Sequence, residues 1–256
     1  MPKILLEVCC GSLDDALQSE LGGANRIELC SALFLGGLTP SAGTIMEAKR
    51  RLRIPFVAMV RPRAGGFCYS PAEMDVMLRD TQSAIELGAD GVVFGILKEN
   101  GTIDIERSRQ IRERIGNRQA VFHRAFDVTP DPFRALDELV DLGITRVLTS
   151  GQQNAAPDGA DLIRQLIEHA RGRIEILPGG GLRVHTLEDF VAKTGCVQVH
   201  LAAPGVQYDN STLARPSVTF GGALYPSEVR YEVTDRGIIE NVVKQLGIAG
   251  AEGRSR

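Results

Sequence analysis

Short apolar runs rich in Val, Ile and Leu alternate along the chain with longer segments of helical period. Runs at residues 4–9, 26–30, 56–60, 91–94, 120–124, 146–149, 175–177 and 197–200 read as eight strands. Near-continuous apolar stretches of that length suit strands covered on both faces. Ser12, Ser41, Ser70 followed by Pro71, and Asp131 followed by Pro132 stand where helices begin, as N-caps with Pro accepted in the first turn. Gly22-Gly23-Ala24, Leu87-Gly88-Ala89 and Leu142-Gly143-Ile144 stand where helices end, since Gly can close a helix in the left-handed conformation. Eight repeats of strand, helix and return turn predict parallel strands and an α/β fold, a TIM-type (β/α)8 barrel. An open doubly wound sheet is disfavoured because no G-x-G-x-x-G turn follows the first strand.

Regularity fails after His200. Residues 202–234 are rich in Pro, Gly and Ser and carry no helical period, so an irregular segment is expected in place of a regular final helix connection. Such a segment suits a lid over the barrel mouth or a subunit contact. A last helix is expected over residues 235–246. Residues 1–248 then form a single barrel domain, with 249–256 as a frayed tail.

At 256 residues the chain has the length of one barrel, a fold that uses about 250. Its 43% hydrophobic and 24% charged residues exclude intrinsic disorder. A net charge of -3 with scattered Lys and Arg gives no electrostatic footprint for nucleic acid or an anionic membrane. Residues 4–8 are too short an apolar run for a signal peptide, and no stretch reaches spanning length, so a cytoplasmic protein is expected. Five cysteines, an odd number without a C-x-x-C pair, fit reduced thiols better than a disulfide framework.

Alternation along a strand separates the barrel interior from the helix layer, and a charged residue inside an apolar strand marks the inward parity. Glu7 and Cys9 therefore point inward on the first strand, and Glu28 and Cys30 on the second. These two E-x-C motifs on neighbouring strands bring two thiols to the catalytic rim. A soft two-thiolate site suits Cu(I), and equally a redox disulfide. Cys10 has the outward parity, Cys196 precedes the last strand, and Cys68 lies in the loop after the third. That third strand runs into Arg61 and Arg63, whose rigid guanidinium forks favour a carboxylate or phosphate, or else pair with Glu7 and Glu28. His123, Arg124 and Asp127 end the fifth strand and His200 the eighth, where an imidazole serves as acid, base or metal ligand. Asp127 could equally cap a helix. Ser150 after the sixth strand and Gly179, Gly180 and Gly181 after the seventh offer backbone N–H groups at the place where barrels bind phosphate. His169 and His185 fall on helical surface.

Seven motifs occur in barrel order: E-V-C at residues 7–9, N-R-I-E-L-C at 25–30, R-P-R from Arg61, G-V-V-F-G at 91–95, F-H-R-A-F-D at 122–127, L-T-S-G at 148–151 and P-G-G-G from Pro178. Together they closely resemble the CutC family of copper-homeostasis proteins over about residues 4–205. The resemblance implies a TIM-type barrel, a cytosolic setting, and Cu(I) bound by thiolates that map onto Cys9 and Cys30. It departs at R-P-R-A-G-G-F, where the family usually has R-P-R-G-G-D-F, and at Ala202, where a Ser is usual.

Two functions follow. One is an intracellular Cu(I)-binding protein, holding copper on Cys9 and Cys30 with Glu7, Glu28 and His200 around them. The other is an enzyme on a small phosphorylated or carboxylated metabolite. There Arg61, Arg63, Arg124 and the 179–181 loop would act as clamp, and Glu28, His123 or His200 as acid and base. Copper and a small anion are the expected ligands, and a homo-oligomer the expected assembly.

Overall fold

A computed structural model of the chain describes residues 4–221 and 228–248. Eight parallel strands alternate with helices: β1 (Leu5–Cys10), β2 (Arg26–Leu29), β3 (Phe56–Met59), β4 (Gly91–Phe94), β5 (Gln119–Phe122), β6 (Arg146–Thr149), β7 (Glu175–Pro178) and β8 (Gln198–Leu201). Hydrogen bonding runs in sequence order from β7 back to β1 and on to β8. The barrel closes between β7 and β8 through one bridge, Gly179 with His200, and through the Gln198 side-chain amide, which donates to the Ile176 carbonyl at 3.3 Å. The TIM-type barrel expected from the strand pattern is the observed fold.

Capping follows the predicted chemistry. Ser12 opens α1 (Leu13–Leu21), Ser41 opens α2 (Ala42–Arg51), and Asp131 opens α5 (Pro132–Asp141), each side chain accepting from a first-turn N–H. Ser70 and Glu73 form a reciprocal capping box at α3 (Pro71–Glu86). Asp104 caps α4 (Ile105–Ile115), whereas α6 (Ala160–Ala170) and α7 (Leu187–Thr194) begin without a side-chain cap. Their buried faces join the strands' outward side chains in one apolar cluster that runs from Ile4 to Ile248.

The barrel interior is layered by parity. At the bottom, Glu7, Arg26, Arg146 and Gln198 are all buried. Arg26 binds the Glu7 carboxylate and reaches Gln198 Oε1 at 3.0 Å, while Arg146 pairs with Glu175 at 2.7 Å and stands 3.8 Å from Glu7. Above them lies a small apolar layer of Cys30, Val57, Met59, Val93 and Val121. Buried charges need compensation to stay charged. Arg26 and Arg146 provide it for Glu7, whereas the sequence reading offered Arg61 and Arg63 for that pairing.

Among its described residues the segment between β8 and residue 235 holds no α-helix, as expected, but it is not irregular throughout. It forms an antiparallel hairpin of β9 (Pro204–Tyr208) and β10 (Arg230–Thr234), leading into α8 (Arg236–Gln245) capped by Asp235. The Thr234 N–H donates to Asp15 of α1 at 2.6 Å, tying the hairpin to the barrel rim, and the Asp235 N–H donates to the Ala203 carbonyl at 2.7 Å, joining its two feet. Pairing across some twenty intervening residues leaves no local turn signal, and Pro204 and Gly205 hide the strand period. The expected tail at 249–256 lies outside the described residues.

Candidate functional site

At the carboxyl ends of the strands a cavity of about 550 Å³ is lined on one wall by Cys9, Glu28, Cys30 and His200. The two E-x-C motifs are not level. The stagger of β1 on β2 sets Glu7 beside Arg26 and Cys9 beside Glu28, so Cys30 stands one step nearer the rim than Cys9. Side chains nevertheless converge: one atom each from the Cys9 thiol, the Glu28 carboxyl and the Cys30 thiol lie within 4.8 Å of one another. Cys30 is buried and Cys9 only half-buried, so the pair is reached through Cys9.

His200 joins this wall from β8, level with Glu7. Its Nδ1 lies 2.8 Å from Glu7 Oε1 and its Nε2 lies 3.6 Å from Glu28 Oε2. Burial disfavours an imidazolium here, but Glu28, the Cys9 sulfur and Glu7 outweigh it and hold His200 protonated well above its usual range. Nδ1–H therefore donates to Glu7. Burial would raise Glu7 as well, yet the His200 hydrogen bond and the charges of Arg26, His200 and Arg146 bring it down to about 2. The Cys30 thiol donates to Glu28 Oε2 at 3.7 Å. Its nearness to the Cys9 sulfur, working against burial and helped by His200, lowers Cys9 well below the ordinary thiol. The same closeness, with burial, raises Cys30 well above it. Burial and the neighbouring Cys9 charge push Glu28 well up, while His200 pulls against them. The wall thus presents two sulfurs of opposite acidity beside His200, with the Glu7 carboxylate below.

Arg61, Phe67, His123, Arg124, Gly180, Gly181 and Arg183 line the same cavity, Arg61 reaching it across the Gly36-Gly37 turn that packs on the Cys30 sulfur. Arg61 is buried, and its terminal nitrogens donate to the carbonyls of Leu35 at 2.9 Å, Gly37 at 3.1 Å and Gly65 at 2.8 Å. Phe67 packs between Arg61, 5.4 Å from its ring centroid, and the His123 ring at 4.9 Å. The Ala125 N–H donates to His123 Nδ1 at 3.1 Å. Burial, with the Arg61 charge nearby, lowers His123 to about 3. The ring is therefore neutral near pH 7 with its proton on Nε2, a fixed donor and not a base. Gly95 gives that ring its room, since a Cβ there would stand 2.3 Å from His123 Cε1.

The remaining predicted site residues lie around the cavity, not on it. Arg63 leans outward, binding Glu73 and stacking over Tyr69. Asp127 caps no helix. It accepts from Thr149 Oγ1 at 2.5 Å, the Ser150 N–H at 3.0 Å and Ser150 Oγ at 2.8 Å, bracing the loop after β6. It also receives Arg124 Nε at 2.8 Å, while Arg124 Nη2 donates to Ser150 Oγ at 2.6 Å. Asp127 and Ser150 thus aim Arg124 at the cavity. Gly179 sits on the closing bridge beneath His200, and Glu7 lies under the thiol wall. Of the other cysteines, Cys10 and Cys196 are buried and Cys68 is exposed; His185 is exposed and His169 pairs with Asp137 at 3.0 Å.

A model of the CutC family matches residues 4–205. The chain belongs to the CutC family. A CutC family protein of Treponema denticola is 50% identical over 246 residues, covering 96% of this chain and 100% of that protein. A human protein named copper homeostasis protein cutC homolog is 43% identical over 231 residues, 90% of this chain and 85% of its own. The crystal structure of the CutC protein from Streptococcus agalactiae superposes with a TM-score of 0.74 at 38% identity, over 77% of this chain and 98% of that one. Phosphoribosylanthranilate isomerase from Thermotoga maritima, at TM-score 0.55 and 14% identity over 95% of this chain and 98% of its own, shares the barrel. Cys9, Cys30, His123 and His200 all fall within the span that defines this chain as a CutC relative.

Proposed function

We propose that this CutC-family chain is a cytosolic copper-handling protein that takes Cu(I) as cargo on the Cys9 and Cys30 sulfurs at the mouth of its barrel. The convergence of both sulfurs and a Glu28 oxygen within 4.8 Å beside an open cavity carries this reading. Soft Cu(I) prefers thiolate ligands, and a Cys9 thiol held well below its ordinary range gives up its proton readily on binding. The name borne by the human relative agrees in kind. Among the described residues no helix is long and apolar enough to cross a membrane.

Titrating the reduced protein with Cu(I) against a competing chelator tests the site. Wild type is expected to hold one equivalent that Cys9→Ser/Cys30→Ser loses. Equal retention by the double variant would sink the thiolate reading. Self-association is proposed as well, supported by the exposed apolar side chains Val206, Tyr208, Leu213, Val218 and Phe220 on and beyond β9; sedimentation velocity reads it directly.

A further inference from the structure

We infer that the side of the mouth formed by Arg61 and His123 binds the oxyanion group, a phosphate monoester or a carboxylate, of a small metabolite. Two donors carry the argument. Arg61 Nε and His123 Nε2 are buried without a hydrogen-bond partner among the described residues, and both side chains line the cavity at 6% and 4% exposure. Buried donors without acceptors are rare in native proteins, and each costs about 1–3 kcal/mol when left unsatisfied. Two on one wall, held together by the Phe67 ring between them, specify an acceptor supplied from outside the protein.

Charge decides what kind of acceptor. Arg61 gives its terminal nitrogens to neutral carbonyl oxygens, stands near the neutral Tyr69 hydroxyl and has no carboxylate partner among the described residues. Arg183 lines the same cavity, is exposed and makes no ion pair among the described residues. Arg124 shares its charge with Asp127 but is aimed at the lining beside Gly180, where a Cβ would stand 3.0 Å from its guanidinium. Gly180 and Gly181 have positive φ, which lets the turn after β7 pack close against Arg124 and Ala155. The acidic side chains on the lining stand elsewhere: Glu28 among the thiols and Glu232 on the β10 strand of the hairpin. Guanidinium forks with a fixed neutral N–H donor match an oxyanion, and about 550 Å³ is room for a metabolite-sized molecule.

Calorimetric titration of the full chain with glycerol 3-phosphate, malonate and, as a neutral control, glycerol tests the inference. Saturable binding of glycerol 3-phosphate alone assigns a phosphate group, and of malonate alone a carboxylate. His123→Phe keeps the ring packing on Phe67 and removes the donor; it is expected to weaken binding at least tenfold. Arg183→Gln, at an exposed unpaired position that leaves the fold intact, is expected to weaken it severalfold. Cys9→Ser/Cys30→Ser should bind the anion as wild type does, so failure of the copper reading and failure of this one are told apart. No saturable binding of either anion at low-millimolar concentration, or affinities within twofold of wild type in both His123→Phe and Arg183→Gln, would overturn it.

Discussion

Replacing Glu7 with Gln keeps the side chain's shape and removes the one negative charge that Arg26 and His200 share at the base of the thiol wall. The cost can be worked two ways. Removing one member of a buried ion pair costs roughly 3–5 kcal/mol because the partner charge is left without compensation. Independently, bringing the carboxyl down from 4.5 to about 2 on folding corresponds to about 3 kcal/mol at about 1.4 kcal/mol per unit. Since His200 can shed its proton once Glu7 is neutral, the lower figure is the expected one. The sign in pH follows. A carboxyl with a depressed folded-state value gives its full stabilisation above pH 4.5 and loses it as pH falls towards about 2. Urea unfolding of wild type and Glu7→Gln at pH 7, repeated in steps down to pH 3, should show a gap of about 3 kcal/mol that narrows below pH 4.5. At roughly 2–4 °C per kcal/mol for a chain of this size, Tm should drop by about 6–12 °C at pH 7. A gap under about 1 kcal/mol at neutral pH, or one that persists undiminished in acid, would refute the claim that Glu7 is ionised and compensates these cations.

Asp127→Ala removes the acceptor for Thr149, Ser150 and Arg124 and is expected to cost about 3 kcal/mol in urea unfolding, given about 1.5–3 kcal/mol for a hydrogen bond to a charged group. His123 stays neutral when folded down to about pH 3 but takes a proton near pH 6.5 when unfolded, so stability falls on acidification through that window. His123→Phe should flatten the fall between pH 6.5 and 4.5, by up to about 1.4 kcal/mol per pH unit. Iodoacetamide at pH 7 followed by peptide mass mapping should label Cys68, which is exposed, and Cys9, whose thiolate is favoured, while sparing buried Cys10 and Cys196; a Cys9 unreactive beside a labelled Cys68 would count against the thiolate.

Much of this was legible from pattern alone, because each strand is covered on both faces and every helix except α6 and α7 announces its start with Ser or Asp. Glu7 and Glu28 gave the inward parity correctly. The same parity marks Arg26, Arg146 and Gln198 as inward, and that signal suffices to find the ionic layer beneath the site without coordinates. What the sequence could not supply was stagger. Matching E-x-C motifs read as level thiols, yet the shear of a barrel displaces neighbouring strands, and it sets Cys9 beside Glu28. Nor can spacing tell that Arg63 turns to Glu73 or that Asp127 holds a loop, since both depend on how loops fold back over the rim. Arg183 was passed over because it follows the glycine run and falls outside every strand end, and only the turn after β7 brings it to the cavity.

The stagger also organises the chemistry. Had Cys9 and Cys30 been level, the two sulfurs would share one height and the carboxyl of Glu28 would sit below them with Glu7. Offset by two residues, Glu28 stands beside Cys9, where burial and the Cys9 charge push its carboxyl well up. His200 then has the Glu7 carboxylate to bind below, with Glu28 and the Cys9 sulfur beside it. A cation entering at the sulfurs would compete with this imidazolium, whereas an anion entering at Arg61 and His123 would meet no negative group on that wall. The two walls of the cavity therefore favour charges of opposite sign. A ligand carrying both a soft cation and an oxyanion would satisfy them together, so Cu(I) and the anion are expected to bind without excluding one another, and each titration repeated in the presence of the other reads that coupling.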